Sequence, residues 1–308
     1  MLVFLLKRIS QVVPVVIGVS ILVFSMLHLI PGDPARMMVG IDAPKEVIEQ
    51  AREELGLNEP LLKQFGIFIG HAITGDLGTS IRTGLPVSEE IANRLPITLT
   101  IAVGATLFAT VFGMLCGIIA AVKQNKLGDN LIMIVSLASV STPSYFLGLL
   151  LMMIFSVYLG WLPTIGIASP VHYVLPIITL GAQSMGLIAR MTRSGMLDVL
   201  RQDYIRTARA KGLPNRIIIY MHALKNALIP VVTVVGLRFG GLLAGTVLVE
   251  SVFAVPGVGR FMVDSVLNRD YPAVQGTVLV LAIIFVLINL LVDIVYRVID
   301  PRITITEG

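Results

Sequence analysis

The chain has 308 residues, 56% of them apolar and only 14% charged, with a net charge of +4 from 23 Lys and Arg against 19 Asp and Glu. Soluble globular chains carry roughly 45–50% apolar and about 25% charged residues, so this composition excludes a soluble enzyme, a disordered chain and a nucleic-acid-binding protein. The single cysteine, Cys116, lies in an uncharged run and permits neither an intrachain disulfide nor a cysteine-based metal site.

A spanning helix needs about 20 mostly apolar residues, because a core of about 30 Å is crossed at about 1.5 Å per residue. Six such segments follow in chain order, and the expected class is an all-α polytopic membrane protein. The first follows Lys7-Arg8 and is apolar to Ile30. Its length, and the lack of a small-x-small site in Ile30-Pro31-Gly32-Asp33-Pro34, favour a retained helix over a cleaved signal. The second covers 95–122. Residues 130–189 hold no charge over 60 positions, enough for spans near 131–157 and 172–189. The turn between them is Gly160-Trp161-Leu162-Pro163-Thr164-Ile165-Gly166. Pro143 and Pro176 are expected to interrupt these two spans. The fifth, 228–249, contains Arg238, and the sixth covers 274–295.

Two polar regions separate the spans, and they suggest a division into 1–30, 31–96 and 97–308. Residues 31–94 carry ten carboxylates and six basic groups. Asp42-Ala43-Pro44 reads as a helix start, Val47, Ile48, Ala51 and Leu55 recur on one face, and Gly56 ends the helix. A second helix is expected over 61–73. This region reads as a small helical cap, or as a docking surface for a soluble partner. Residues 190–225 instead hold eight basic and two acidic groups. With the N-terminus in the cytoplasm, the inner segments collect 14 basic residues and the outer ones 8, so both termini are expected inside.

Within 190–226 the run Asp203-Tyr204-Ile205-Arg206-Thr207-Ala208-Arg209-Ala210-Lys211-Gly212-Leu213-Pro214 favours a short helix stopped by Gly-Leu-Pro. Tyr204, Ala208 and Lys211 share one face by spacing, with Ile205 and Arg209 beside them. Small alanines would let another surface approach, and the charges would fix its register. Basic loops also touch anionic membrane lipid, but lipid contact does not account for small residues and a glycine break at set spacing.

This stretch, followed by His222-Ala223-Leu224-Lys225-Asn226-Ala227-Leu228-Ile229-Pro230, resembles the "EAA" loop of binding-protein-dependent ABC importers. More narrowly, the chain resembles the B-type permease of the dipeptide/oligopeptide/nickel branch, which includes glutathione-type importers. Further matching segments are Pro31-Gly32-Asp33-Pro34, Leu55-Gly56-Leu57, Gly75-Asp76-Leu77-Gly78-Thr79-Ser80, Arg190-Met191-Thr192-Arg193-Ser194 and Val252-Phe253-Ala254-Val255-Pro256-Gly257-Val258-Gly259-Arg260. Arg269-Asp270-Tyr271-Pro272 and Asp300-Pro301-Arg302 complete the set.

The resemblance implies a type I ABC importer permease fold in a prokaryotic inner membrane. It implies that residues Asp203, Tyr204, Arg206, Thr207, Ala208, Arg209, Ala210, Lys211 and Gly212 form a coupling helix seated in a groove of a cytoplasmic ATPase. The implied partners are a second, similar permease, ABC ATPase subunits that bind ATP and Mg²⁺, and an extracytoplasmic solute-binding protein. Two features depart from the general motif: Arg206 stands at its acidic position, and Pro230 lies 18 positions after Gly212.

The chain has no G-x-x-x-x-G-K-[ST] loop, no H-E-x-x-H and no G-x-S-x-G, so no catalytic or metal site is expected on it. Gly257-Val258-Gly259-Arg260 reads as a turn, and His28, His71, His172 and His222 are scattered. Asp293 near the end of the sixth span can pair with Arg297. Arg238, close to mid-membrane, costs at least about 2.5–3.5 kcal/mol on insertion scales and must face protein or water. It is the candidate to line the pathway, attracting a substrate carboxylate, or to pair with an acid across the permease seam. A peptide or glutathione-like substrate is expected, with nickel or a metal chelate as the alternative within the branch. An ion-coupled secondary transporter is the alternative from another class, and it lacks a mid-membrane carboxylate.

Overall fold

A computed structural model of the chain describes residues 2–29, 34–39, 43–54 and 56–299. Pro31-Gly32-Asp33, Asp42, Leu55 and Asp300-Pro301-Arg302 lie outside the described residues, as do the side chains of His28, Asp293 and Arg297. In chain order the helices are α1 (Leu2–Leu29), α2 (Pro34–Val39), α3 (Lys45–Glu54), α4 (Leu61–Ile73), α5 (Val87–Val122), α6 (Leu127–Ser141) and α7 (Ser144–Leu151). There follow α8 (Val174–Leu200), α9 (Asp203–Ala210), α10 (Asn215–Ile217), α11 (Leu224–Val252), α12 (Val258–Leu267) and α13 (Tyr271–Ile299). Wider π-helical turns extend α7 over Met152–Tyr158 and join α10 to α11 over Ile218–Ala223.

Among the described residues four helical segments are long and apolar enough to cross a membrane: Val87–Val122, Pro170–Leu200, Pro230–Val252 and Tyr271–Val292. The segment expected as one span over 131–157 is two helices bent by 113°. Thr142 is extended (φ −87°, ψ 126°), as the residue before Pro143 is driven to be, and the helix restarts only at Ser144. Counted as one, this broken pair is a fifth span; the sixth expected span falls on α1, whose described apolar stretch is Val12–Ser25. Pro176, by contrast, interrupts nothing. It sits in the first turn of α8, where its missing N–H has no helical partner to lose.

Helices also run further than the apolar segments. The region expected as an inner loop from residue 190 is helical to Leu200, because Arg190 and Arg193 end the apolar run without ending helix propensity. Likewise α5 starts at Val87 and not at 95, with Glu89 and Glu90 in its first turn, where the helix dipole favours acids.

The chain divides into two compact units, residues 1–96 with 261–287 and residues 97–260 with 288–308. In the first, Ala35 of α2 and Ile48 of α3 are buried together. α3 stops at Gly56 (φ 65°), whose neighbour Leu57 returns an N–H to the Arg52 carbonyl at 2.9 Å. Phe65 of α4 meets Phe24 of α1 edge-on at 5.4 Å. Buried Asp270 organises the loop before α5. Its carboxylate accepts the Ser80 hydroxyl at 2.5 Å and the Ile81, Arg82 and Ala273 amides at 3.2, 3.3 and 3.3 Å.

In the second unit α8 is the hub. Leu175 and Leu180 of α8 are buried with Ile101 and Ala105 of α5 and with Leu242 and Val249 of α11. Small residues allow the close approach: a Cβ at Gly186 would lie 2.5 Å from the Ser136 carbonyl of α6, and one at Gly117 of α5 would lie 2.5 Å from the Ala189 carbonyl. α8 is thereby enclosed by α5, α6 and α11 and left open along one strip.

Candidate functional site: a keyed surface helix and the open face of the hub

α9 is built to be held. Asp203 stands in its first turn and Arg209 in its last, each matched to the helix dipole. Its end is a Schellman motif, with Gly212 N–H donating to the Arg209 carbonyl (2.9 Å) and Leu213 N–H to the Ala208 carbonyl (3.3 Å). Gly212 adopts φ 78°, which a side chain would resist, and Pro214 bars continuation. Ile205 and Ala208 are buried with Met196 of α8, with Ile218 and Ala223 of the π-helical turn, and with Ala227 at the start of α11.

Ala208 thus does not offer a small outer surface to a partner, as its spacing with Tyr204 and Lys211 suggested. Its small side chain lets α9 approach its own body. Asp203, Tyr204, Arg206, Thr207, Arg209, Ala210 and Lys211 are exposed, and Gly212 with them. Tyr204 accepts a hydrogen bond from the Asn226 amide at 2.8 Å, so the two segments of the loop motif meet. The Arg206–Asp203 pair, at 3.4 Å and 74% and 94% exposed, is worth little to stability.

Close to this end, Arg193 of α8 grips buried Asp129 of α6 through two hydrogen bonds of 2.6 Å. Asp129 also accepts the Asn125 amide at 2.9 Å, which holds the α5–α6 turn and its left-handed Asn125 (φ 61°) against α8. Arg238 stands elsewhere, twelve residues along α11 from Asn226 and so roughly 18 Å away by helix rise. The structure does not bring it to α9. It is exposed and has no hydrogen bond or ion pair among the described residues.

Buried Glu250 was not singled out by the sequence, because it lies just past the apolar run of the fifth span. Its carboxylate accepts the Thr98 hydroxyl of α5 at 2.7 Å and the Arg260 amide of α12 at 3.0 Å, while Thr98 accepts the Val258 amide at 2.9 Å. Three helices are tied at one acid. A Cβ at Gly257 would collide with that carboxylate, and one at Gly259 would lie 2.6 Å from the Val247 Cα. The Gly257-Val258-Gly259-Arg260 turn is therefore the cradle of Glu250. Two glycines separated by one residue, seven residues after a glutamate, were the signal available in the sequence.

Residues 113–305 match the family described as binding-protein-dependent transport system inner membrane component, and residues 1–102 match its N-terminal family. The chain belongs to this family. It is similar along nearly its whole length to glutathione transport system permease proteins, with 48% identity to that of Escherichia coli and 50% to that of Salmonella typhimurium. Each match covers 98% of this chain and 99% of the relative. Among solved structures it resembles the inward-facing MetNI methionine ABC transporter (TM-score 0.57, 22% identity, 68% of this chain and 96% of that one). It also resembles an amino acid ABC transporter with histidines (TM-score 0.53, 16% identity, 70% and 95%). The fold is that of ABC importer permeases, and this family member is a non-enzymatic, multi-pass transport subunit of a bacterial inner membrane. Its family works with ATPase and binding-protein partners.

Proposed function

We propose that this chain is one permease half of an ATP-driven importer for short peptides of the glutathione kind. The observation that carries the coupling role is the mounting of α9: its exposed face projects outward while Ile205 and Ala208 are locked against α8 and the start of α11. An ATPase groove that seats Tyr204, Arg206, Thr207, Arg209 and Lys211 would push on α9, and the buried pair would pass that motion to the two helices bearing Gln183 and Arg238. Closure of the ATPases around ATP and Mg²⁺ then becomes movement of the pathway walls.

In this reading both termini and α9 face the cytoplasm. Residues 31–96 form the outer cap that meets the solute-binding protein, and a second permease completes the pathway. Arg238 lines that pathway. An exposed arginine within an apolar span must face water or protein, and it suits an anionic or zwitterionic substrate better than a bare metal cation. The peptide class is supported by the named substrate of the close relatives.

The test is uptake by the assembled importer in liposomes, with glutathione as the probe. Vanadate-sensitive uptake that needs the loaded binding protein is expected. Transport by this chain alone on an ion gradient would overturn the proposal.

A further inference from the structure

The open strip of α8 carries polar residues at helical spacing: Gln183, Arg190 and Ser194 fall on one face with Leu187. The neighbouring faces are occupied. Gly186 and Arg193 meet α6, Leu180, Ile188 and Gly195 meet α11, and Ala189 and Thr192 meet α5. The strip is thus the floor of a groove walled by α6 and α11, with α5 behind it, and α7, whose Gly148 lies against Thr179 of α8 and Val252 of α11, packs across its far end.

Register fixes what stands at each depth. Along α11, Ala227 lies at Gly195, Val231 at Ile188 and Gly245 at Leu180. In this antiparallel pairing Arg238 is level with Gln183. Arg238 shares a helix face with Val235 and Leu242, which pack towards the hub, yet it is exposed, and Leu237 and Gly241 beside it continue the open face. It therefore sits at the rim of the α8–α11 seam, on the side away from α5, where the groove lies. On the opposite wall Ser136 lies at Gly186, and Gln183 donates its amide to the Thr142 carbonyl at 2.9 Å. The bend at Thr142-Pro143 frees that carbonyl, and Gln183 satisfies it. The other end of the Gln183 amide, Oε1, has no partner among the described residues.

We propose that Arg238 and Gln183 form a two-point subsite for the end of a peptide in transit. The guanidinium takes a free carboxylate, and Gln183 Oε1 accepts an N–H of the same residue. Packed helices lie about 8–10 Å apart, a gap that an arginine and a glutamine can bridge through one amino-acid-sized group. The bond to Thr142 fixes the glutamine amide, so its acceptor is aimed before the substrate arrives. This inference rests on the importer reading above.

The test uses the whole importer in liposomes with saturating loaded binding protein, reading uptake of labelled glutathione and of a labelled dipeptide per ATP hydrolysed. Arg238→Gln lowers uptake per ATP about 10-fold or more, the scale of a lost charge-assisted contact. Arg238→Lys, a point charge without the fork, falls between. Gln183→Met lowers uptake about 3- to 10-fold, and the double variant is no worse than Arg238→Gln alone, because both residues hold one group.

Uptake per ATP unchanged in Arg238→Gln would overturn the subsite while leaving the importer reading intact. Should Gln183→Met fail to assemble, the ordering of arginine, lysine and glutamine at 238 decides by itself. Absence of ATP-driven uptake of both peptides by the unmodified importer would overturn the importer reading and the subsite with it.

Discussion

Removing the Glu250 carboxylate should loosen the joint of α5, α11 and α12 more than any exposed substitution. In Glu250→Ala the Thr98 hydroxyl and the Arg260 amide lose their acceptor inside a buried site. Each orphaned buried group costs about 1–3 kcal/mol, and the vacated side-chain volume adds a cavity term. Together these give about 3–5 kcal/mol. Glu250→Gln is far milder, about 1–2 kcal/mol. A flipped amide can still accept from Arg260 and donate to Thr98, whose oxygen already accepts the Val258 amide at 2.9 Å. Gly257→Ala should resemble Glu250→Ala, since its methyl would occupy the carboxylate position. The measurement is thermal inactivation of the detergent-solubilised importer. At roughly 2–4 °C per kcal/mol for a domain of this size, Glu250→Ala lowers the midpoint by about 10 °C and Glu250→Gln by less than half of that. A double-mutant cycle of Thr98→Val with Glu250→Ala should be strongly non-additive. Equal midpoints for Ala and Gln, or simple additivity with Thr98→Val, would refute the idea that one acid ties the three helices.

Four further outcomes are expected. Asp129→Asn leaves Arg193 without its bidentate acid and costs about 3–5 kcal/mol, read in the same thermal assay; the double variant with Arg193→Met recovers part of it. Ile205→Ala removes the buried anchor of α9 and costs about 2–5 kcal/mol; it should lower uptake per ATP while ATPase subunits still copurify. Gly212→Val forces a branched side chain to φ 78° and frays the end of α9, costing about 1–2 kcal/mol; the assay is stimulation of ATP hydrolysis by the loaded binding protein, which should fall. The hydrogen bond from His71, and then the Gly78 amide, hold the Asp76 carboxyl below its usual range. A depressed acid stabilises above its unfolded value of about 3.9 and ceases to do so as pH falls through the lowered value, so protection of residues 74–80 from hydrogen exchange should hold at pH 5 and drop only below about pH 4.

The elements that were legible in the sequence are those set by local rules. The 61–73 helix, the stop at Gly56, the turn at Gly160 to Gly166 and the Gly-Leu-Pro end of α9 all depend on neighbours within a few residues. The break at Pro143 was legible as an interruption, but its 113° angle was not, because proline removes a hydrogen bond without stating where the chain goes next. The inner face of α9 was misjudged for a related reason. Alanine is the residue of choice both for contact with a partner and for contact with the chain's own core, and only Ile205 beside Ala208 in three dimensions separates the two.

The acids were the hardest to read, and their placement follows one physical pattern. Glu250, Asp129 and Asp270 lie at or beyond the ends of apolar runs, so a hydropathy reading assigns them to water. Each is nonetheless buried, and each collects donors from segments far apart in sequence: Thr98 for Glu250, Arg193 for Asp129, and Ser80 for Asp270. A carboxylate can accept about four hydrogen bonds, which makes it the natural knot where helix starts and loops leave amides unpaired. The matching segments of the family find their use here. Gly75-Asp76-Leu77-Gly78-Thr79-Ser80 meets Arg269-Asp270-Tyr271-Pro272 at one knot, and Val255-Pro256-Gly257-Val258-Gly259 closes on another. Arg238 is the opposite case. It is a charge inside an apolar run that takes no donor or acceptor from the described residues, so the group that satisfies it lies beyond them; in the importer proposed above, that group is water, the substrate or the second permease.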